Sequence, residues 1–511
     1  MPDDVKLETN SVISSGTDAL ASVWQPVYDR HPVLKNIVDS YGDRSVFEYV
    51  QSFLTPFPQA EETRREEWLS VFQDLLTERV GSEMAREVTE QVRAVPLVST
   101  ADHHSPLDEP YWMNANLIHS LVHLPEAHPT YNVCLSFASV SLNNALGYPR
   151  GLLLHEEGKM LREGIPSYRF YPEAKLLRLS LFPDKDKMAT TYGFRPYMTE
   201  DVQRLLNGVD LKVKEGLISV DAGVRLRAWI SEEFMDDKIM SLKDYPSQIT
   251  ALNAKFWPSY FEPESRAHAP RVIYLEIETL VTELLLRVHL QKPDSLFYKF
   301  IFDSAWQSAF LKEFEGVHGA FCSHDEDGTY YFWGLDEKGH RVRLFLRDGE
   351  LSSMERTIVV PMTAEGVSEA LRTKKIFPCM ALCYLMMAFY YHVRCMGATS
   401  QIRDLTRTKE RTINVLRQMG ENAEADALTP FPTQDLIGAL SLDAMKLPCG
   451  DRVLPTGLDI LLHGHLSFET IIARSKRVTL KEAMLPYVKD LYNDFCRDLP
   501  FPLQDLDFRI D

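Results

Sequence analysis

Six of the fifteen histidines in this 511-residue chain fall between His103 and His155. Their spacing is what could do chemistry. Asp102-His103-His104 follows the apolar run Val95-Pro-Leu-Val98, so a strand end is expected to aim adjacent side chains into a cleft. Imidazole titrates near neutrality and serves as general acid or base, and with a carboxylate it also suits a divalent metal. His119 and His123 stand four apart on a helix predicted over 110–124, where one face would carry both rings and allow them to share a cation. His103, His104, His119 and His123 are therefore the candidate ligands, for zinc, manganese or iron.

His155-Glu156-Glu157-Gly158-Lys159 follows a second apolar run, Gly151-Leu-Leu-Leu154. With Asp102, His103 and His104, the pair His155 and Glu156 completes the candidate catalytic set. Asn143, Asn144 and Arg150 occupy a turn between the two, and their amides and fixed charge are candidate contacts for a polar or anionic substrate. Arg403 is a further candidate. It stands where a buried helix gives way to a polar Gly-Ala-Thr-Ser-Gln break and a basic helix begins, whose first N–H groups can receive an anion. Each of these positions also has a plain structural use. Turns favour Asn, Gly and Pro for backbone reasons, and Thr399 or Ser400 serves equally well as a helix cap.

Other chemistries lack their signatures. The chain has no Gly-x-Ser-x-Gly elbow, no Cys-x-x-Cys, no P-loop and no Gly-x-Gly-x-x-Gly. Cys379 and Cys383 lie among Met380, Met386 and Met387 in an apolar stretch and read as core.

The elements that must position these residues are mixed. A helical N-terminal region is predicted over 1–94, with a helical run at 61–92 broken at Gly81-Ser82. An α/β core with helical insertions is expected over 95–318, in which strand, helix and strand follow one another between 95 and 155. That pattern places both Asp102–His104 and His155–Glu157 at carboxyl ends of strands, where open α/β sheets gather their sites. An antiparallel meander is predicted over 319–362, from Tyr330-Tyr-Phe-Trp-Gly-Leu through turns at 336–339 and 348–349. A helical region closes the chain over 363–511. The fold class is mixed α/β.

The string Leu97-Val-Ser-Thr-Ala-Asp-His-His-Ser-Pro-Leu-Asp-Glu-Pro110 resembles the Asp-His-His motif of the DHH phosphoesterase family, which ends a strand and helps hold manganese. The resemblance covers about 14 residues. It implies a metal role for Asp102, His103 and His104. The family's aspartate-rich first motif and its glycine-rich C-terminal motif have no counterpart here. The layout of strand, Ser-Thr, loop and Pro110-led helix is also similar to the core of the bacillithiol-pathway cysteine-adding ligases. Ala101-Asp102-His103 stands where those have Gly-Gln-Gln.

Composition bounds the rest. Seventy-three acidic residues against 55 basic ones give a formal charge of −18, which argues against a general grip on nucleic acid. The longest apolar stretch, 377–393, holds Pro378 and His392 and falls short of a bilayer span. The polar, acidic start is unlike a secretory signal, and seven cysteines, an odd number in mostly apolar surroundings, fit free thiols in a cytoplasmic protein. The expectation is a cytoplasmic enzyme acting on a small polar or anionic metabolite, without a membrane or nucleic-acid partner. Its reaction would be hydrolysis or group transfer, with a divalent metal possible. The alternatives are an interaction or scaffold protein whose histidines are structural, or a ligase-like enzyme of specialised metabolism.

Overall fold

A computed structural model describes residues 17–123, 130–144, 147–156, 165–166, 175–317, 328–448 and 452–502. The chain is mixed α/β, built on one parallel sheet with helices on both faces. Four strands run in the order Arg394–Met396, Leu97–Ser99, Tyr131–Ser136 and Arg271–Glu276, all parallel. Side chains alternate across a strand, so each strand feeds two cores. Leu97, Cys134, Val272, Tyr274 and Met396 belong to one apolar cluster. Val98, Val133, Leu135, Ile273, Leu275 and Cys395 belong to the other. Burial on both faces explains why these strands read as continuous apolar runs.

The N-terminal helices divide between these faces. Helices Thr17–Arg30, Pro32–Tyr41 and Val46–Gln51 pack on the first cluster, and Glu62–Val80 and Ser82–Ala94 on the second. Gly81, at φ 87°, separates the latter two at the predicted break. The C-terminal part divides similarly: residues up to Phe431 join the second cluster, except Met396 and Ile402, and those from Leu436 to Cys496 join the first.

Two strands depart from the expected layout. Gly151–His155 forms where predicted but lies outside the parallel sheet. It pairs antiparallel with Lys175–Ser180, which in turn pairs with Ile165–Pro166. Gly151 makes that pairing possible, because a Cβ there would meet the Leu179 carbonyl oxygen at 1.9 Å. His155 and Glu156 are thus not at a carboxyl end of the sheet that carries Asp102. Conversely, Arg394–Met396 lies in a region expected to be helical throughout. The buried helix Met380–Tyr384 continues through the wider turns of Leu385–Tyr390. The chain then reverses at His392, at φ 53°, into the edge strand.

The antiparallel region is shared between two small sheets. Phe332–Leu335 pairs with Arg341–Val342 and with Ile376–Pro378, while Phe345–Arg347, Glu350–Ser352 and Val359–Pro361 form the other. Residues 319–327 of the predicted meander lie outside the described residues. Cys134, Cys379, Cys383, Cys395 and Cys496 are buried free thiols. No helix among the described residues is long and apolar enough to cross a membrane.

Candidate functional site

The parallel sheet has its topological switch beside the Leu97–Ser99 strand. From that strand the chain builds outward through Tyr131–Ser136 to Arg271–Glu276, then returns to the other side as Arg394–Met396. Loops diverge there at the carboxyl ends, which is where open sheets bind ligands. Thr100 bridges the switch: its N–H donates to the Met396 carbonyl at 2.8 Å, and its hydroxyl accepts from the Gln401 amide. Gln401 lies in the first turn of the Thr399–Gln418 helix.

Asp102 stands two positions after Thr100 and is fully buried. Its Oδ2 accepts from the Tyr274 hydroxyl and from the Asn116 amide at 2.8 Å, with the Cys134 thiol also against the carboxyl. Its Oδ1 accepts no hydrogen bond from the described residues. Burial raises the Asp102 carboxyl to about 6, against the opposing hydrogen bonds of Tyr274, Asn116 and Cys134. Asn116 comes from the Pro110–His119 helix and Tyr274 from the Arg271–Glu276 strand, so three elements converge on one carboxylate.

Glu109 caps that same helix. Its Oε2 accepts from the N–H groups of Tyr111 and Trp112 at 2.9 and 3.1 Å, and its Oε1 has no hydrogen-bond partner among the described residues. Burial pushes its carboxyl up to about 8, with Asp102 and Asp108 adding repulsion against the two N–H groups. Proline at the first helical position supplies the fixed φ and needs no donor partner.

A line of buried carboxyls continues from there. Asp108 accepts from Leu153 N–H at 2.5 Å and from Leu458 N–H at 2.9 Å, tying the hairpin to the short helix Gly457–His463. Burial, and Asp459 nearby, raise it to about 8. Asp459 receives the His155 N–H at 2.9 Å and the His155 Nδ1 at 2.6 Å. Burial would raise Asp459, but His155 and these hydrogen bonds outweigh it and hold its carboxyl below the usual range.

The remaining candidates divide by what they touch. His103 is half-buried; its Nδ1 lies 3.2 Å from Asn144 Oδ1 and its ring packs on Trp112 at 5.4 Å. His104 is fully buried between Ser136, 2.8 Å from Nδ1, and the Pro246 carbonyl, 2.9 Å from Nε2. Burial lowers its pKa despite Glu276. A metal bond through either nitrogen would displace one of these contacts. Asn143 is half-buried in the turn after Leu142. Arg150 turns to Asp184 at 2.6 Å and to the Tyr148 hydroxyl at 3.0 Å. Glu156 is buried beside His155. Arg403 places its Nε 2.9 Å from Asp404 and its guanidinium over Phe495.

The helix bearing His119 stops there, and His123 lies in the turn beyond, so the pair does not share a helical face. Both nitrogens of His119 are buried without a hydrogen-bond partner among the described residues, and burial holds its pKa well below the ordinary value, with His123 adding to the effect. Among the described residues, no group of three or more His, Cys, Asp or Glu is placed to hold a metal ion. The structure thus joins His103 with Asn144, and His155 with Asp459, and separates His104, Arg150 and Arg403 onto partners of their own.

Sequence reasoning missed Glu109, Asp108, Tyr274 and Asp459. Two carried a signal: Glu109 precedes a helix-leading proline, and Asp459 closes a Thr456-Gly-Leu-Asp capping box. The chain matches no known protein-family model, and no curated protein is significantly similar to it.

Proposed function

We propose that this protein is an enzyme that hydrolyses a small polar or anionic metabolite, or transfers a group from it, at the carboxyl ends of its parallel sheet. The observation that carries this reading is the pair Asp102 and Glu109. Both are buried, each leaves one oxygen without a hydrogen-bond donor among the described residues, and their carboxyls sit at about 6 and about 8. Two carboxyls held apart in this way divide naturally into a base and an acid near neutral pH. Asp102 would take the proton from the attacking group, and Glu109 would deliver one to the leaving group. The half-buried His103, steadied by Asn144 and Trp112, would be the group nearest solvent in this set. The acid–base roles above do not require a divalent ion.

The test is exposure of the purified protein to a metabolite extract, followed by mass spectrometry, alongside Asp102→Asn and Glu109→Gln variants. At least one metabolite should be consumed by the wild type and spared by both folded variants. A wild type that consumes nothing, or variants that match it, would overturn the reading.

A further inference from the structure

The small sheet of Phe345–Arg347, Glu350–Ser352 and Val359–Pro361 has one face in the core and one turned outward. Leu346, Leu351 and Val360 form one cross-strand row, and all three pack in the second apolar cluster. Side chains alternate along a strand, so the opposite face carries the other two rows. Phe345, Ser352 and Val359 make one of them, and Arg347, Glu350 and Pro361 the next. Arg343, two residues before Phe345, joins this face, because its guanidinium lies 4.8 Å from the centre of the Phe345 ring. Arg347 lies 4.9 Å from the same ring, so one phenylalanine carries two cations.

Neither cation is neutralised. Glu350, across from Arg347, is held by Arg356 at 2.8 Å, while Arg347 turns to the Met354 sulfur at 4.0 Å. Among the described residues no carboxylate lies within ion-pair distance of Arg343 or Arg347. Arg343 is the more unusual of the two. The residue is half-buried, and its Nε and Nη2 are buried without a hydrogen-bond partner among the described residues. Those two nitrogens make up the flat edge with which a guanidinium grips two oxygens of one anion. Across the strand from Phe345, Ser352 is buried and its Oγ also lacks a partner among the described residues. Buried donors are rarely left unpaired, and an unpaired buried charge is costly. Exposed Arg347 and half-buried Phe345 and Val359 open this face to solvent.

We propose that this face binds a phosphate monoester group. Two of its oxygens lie on the Arg343 edge, Ser352 donates a hydrogen bond, and Arg347 supplies the second positive charge. Such a group carries about two negative charges near neutral pH, which two guanidiniums match and a carboxylate would not. The site is separate from Asp102 and Glu109 and does not depend on their proposed role.

The experiment titrates the full-length protein calorimetrically with inorganic phosphate at neutral pH, with acetate at matched ionic strength as the control. Phosphate should bind at least about tenfold more tightly than acetate. Arg343→Lys keeps the charge but not the fork and should weaken phosphate about tenfold, and Arg343→Met should abolish its binding. In phosphate-free buffer Arg343→Met should melt no lower than wild type, because it removes an unpaired buried charge. Added phosphate should raise the melting temperature of the wild type and not of this variant. Glycerol 3-phosphate and N-acetylphosphoserine amide then identify the source of the group. Tighter binding of the first assigns the site to a phosphorylated metabolite, and of the second to a phosphorylated side chain. No saturable phosphate binding at millimolar concentration, equal affinity for acetate, or unchanged binding by Arg343→Met would each overturn the proposal. So would an Arg343→Met variant that melts well below wild type without phosphate, which would make the guanidinium a part of the fold.

Discussion

His155 Nδ1 lies 2.6 Å from Asp459 Oδ2, and the His155 N–H reaches the other oxygen of the same carboxylate at 2.9 Å. The two residues are 304 positions apart and both are buried. One carboxylate thus fixes both the ring and the backbone of His155, and a third bond from the Thr456 N–H holds the carboxylate itself. Breaking a buried pair by removing one partner leaves an uncompensated group. Asp459→Asn is expected to cost about 3 kcal/mol in denaturant unfolding. In combination with His155→Gln the loss should be clearly less than the sum of the two single losses, and strict additivity would show that the contact contributes nothing.

The strand-end carboxyls make a kinetic prediction once a substrate is found. Asp102 ionised and Glu109 protonated coexist mainly between about 6 and about 8. The rate should therefore be bell-shaped in pH with limbs near those values, read as properties of the interacting pair. Whatever slow turnover survives in Glu109→Gln over long incubation should lack the upper limb.

Stability should depend on pH in an unusual direction. Burial raises Glu109 and Asp108 to about 8 and Glu278 to about 7, so the folded state binds protons that the unfolded chain has released. The contribution of each is complete below the ordinary carboxyl range and is lost as pH climbs to 7 or 8. Thermal or urea unfolding from pH 5 to pH 8 should show Glu109→Gln with a shallower decline than wild type, by on the order of 1 kcal/mol per pH unit. Identical slopes would contradict the assignment of Glu109 as a raised group. Glu276 behaves oppositely. Burial raises it, but Arg79 and His104 overcome that and hold it at about 2, so its share is present above the ordinary carboxyl range and disappears only in acid.

Tyr274→Phe removes the hydroxyl that donates to Asp102 and should cost about 1–3 kcal/mol. Losing a donor to the ionised form also moves the Asp102 carboxyl above 6, shifting the acid limb of the rate profile upward. An unmoved limb would separate Asp102 from the reaction.

Two glycines give a paired test of the backbone. Gly151→Ala would drive a methyl into the Leu179 carbonyl and should destabilise by at least about 2 kcal/mol. Gly208 lies inside the Thr199–Lys214 helix with only Leu179 Cδ2 near, at 3.6 Å. Gly208→Ala should stabilise by up to about 1 kcal/mol. Melting curves of the two variants decide both.

Much of this architecture is legible in the residues, and the gaps have physical causes. Gly81 and Pro110 mark helix boundaries by their own covalent geometry, and Leu97–Ser99 and Gly151–His155 announce themselves as apolar runs between turns. Arg394-Cys395-Met396 does not, because a three-residue strand buried on both faces has no alternation to distinguish it from the helix before it. Strand partners are non-local, so nothing near Gly151 reveals that it joins Lys175–Ser180 and not the parallel sheet. Asp102 and His103 stand out as polar residues after a strand. Tyr274 is disguised as one more aromatic in a β run, and His104 reads as a ligand until Ser136 and Pro246 are seen on either side of it.

The edge strand has a consequence for how the protein is made. Thr100 and the Met396 carbonyl that it meets are separated by 296 residues, so the Leu97–Ser99 strand leaves the ribosome long before its outer neighbour exists. During that interval one side of the strand has unpaired backbone groups open to other nascent chains. A protein truncated before Arg394 should therefore accumulate as aggregate, and a chaperone that masks strand edges should matter most before the final quarter of the chain is synthesised.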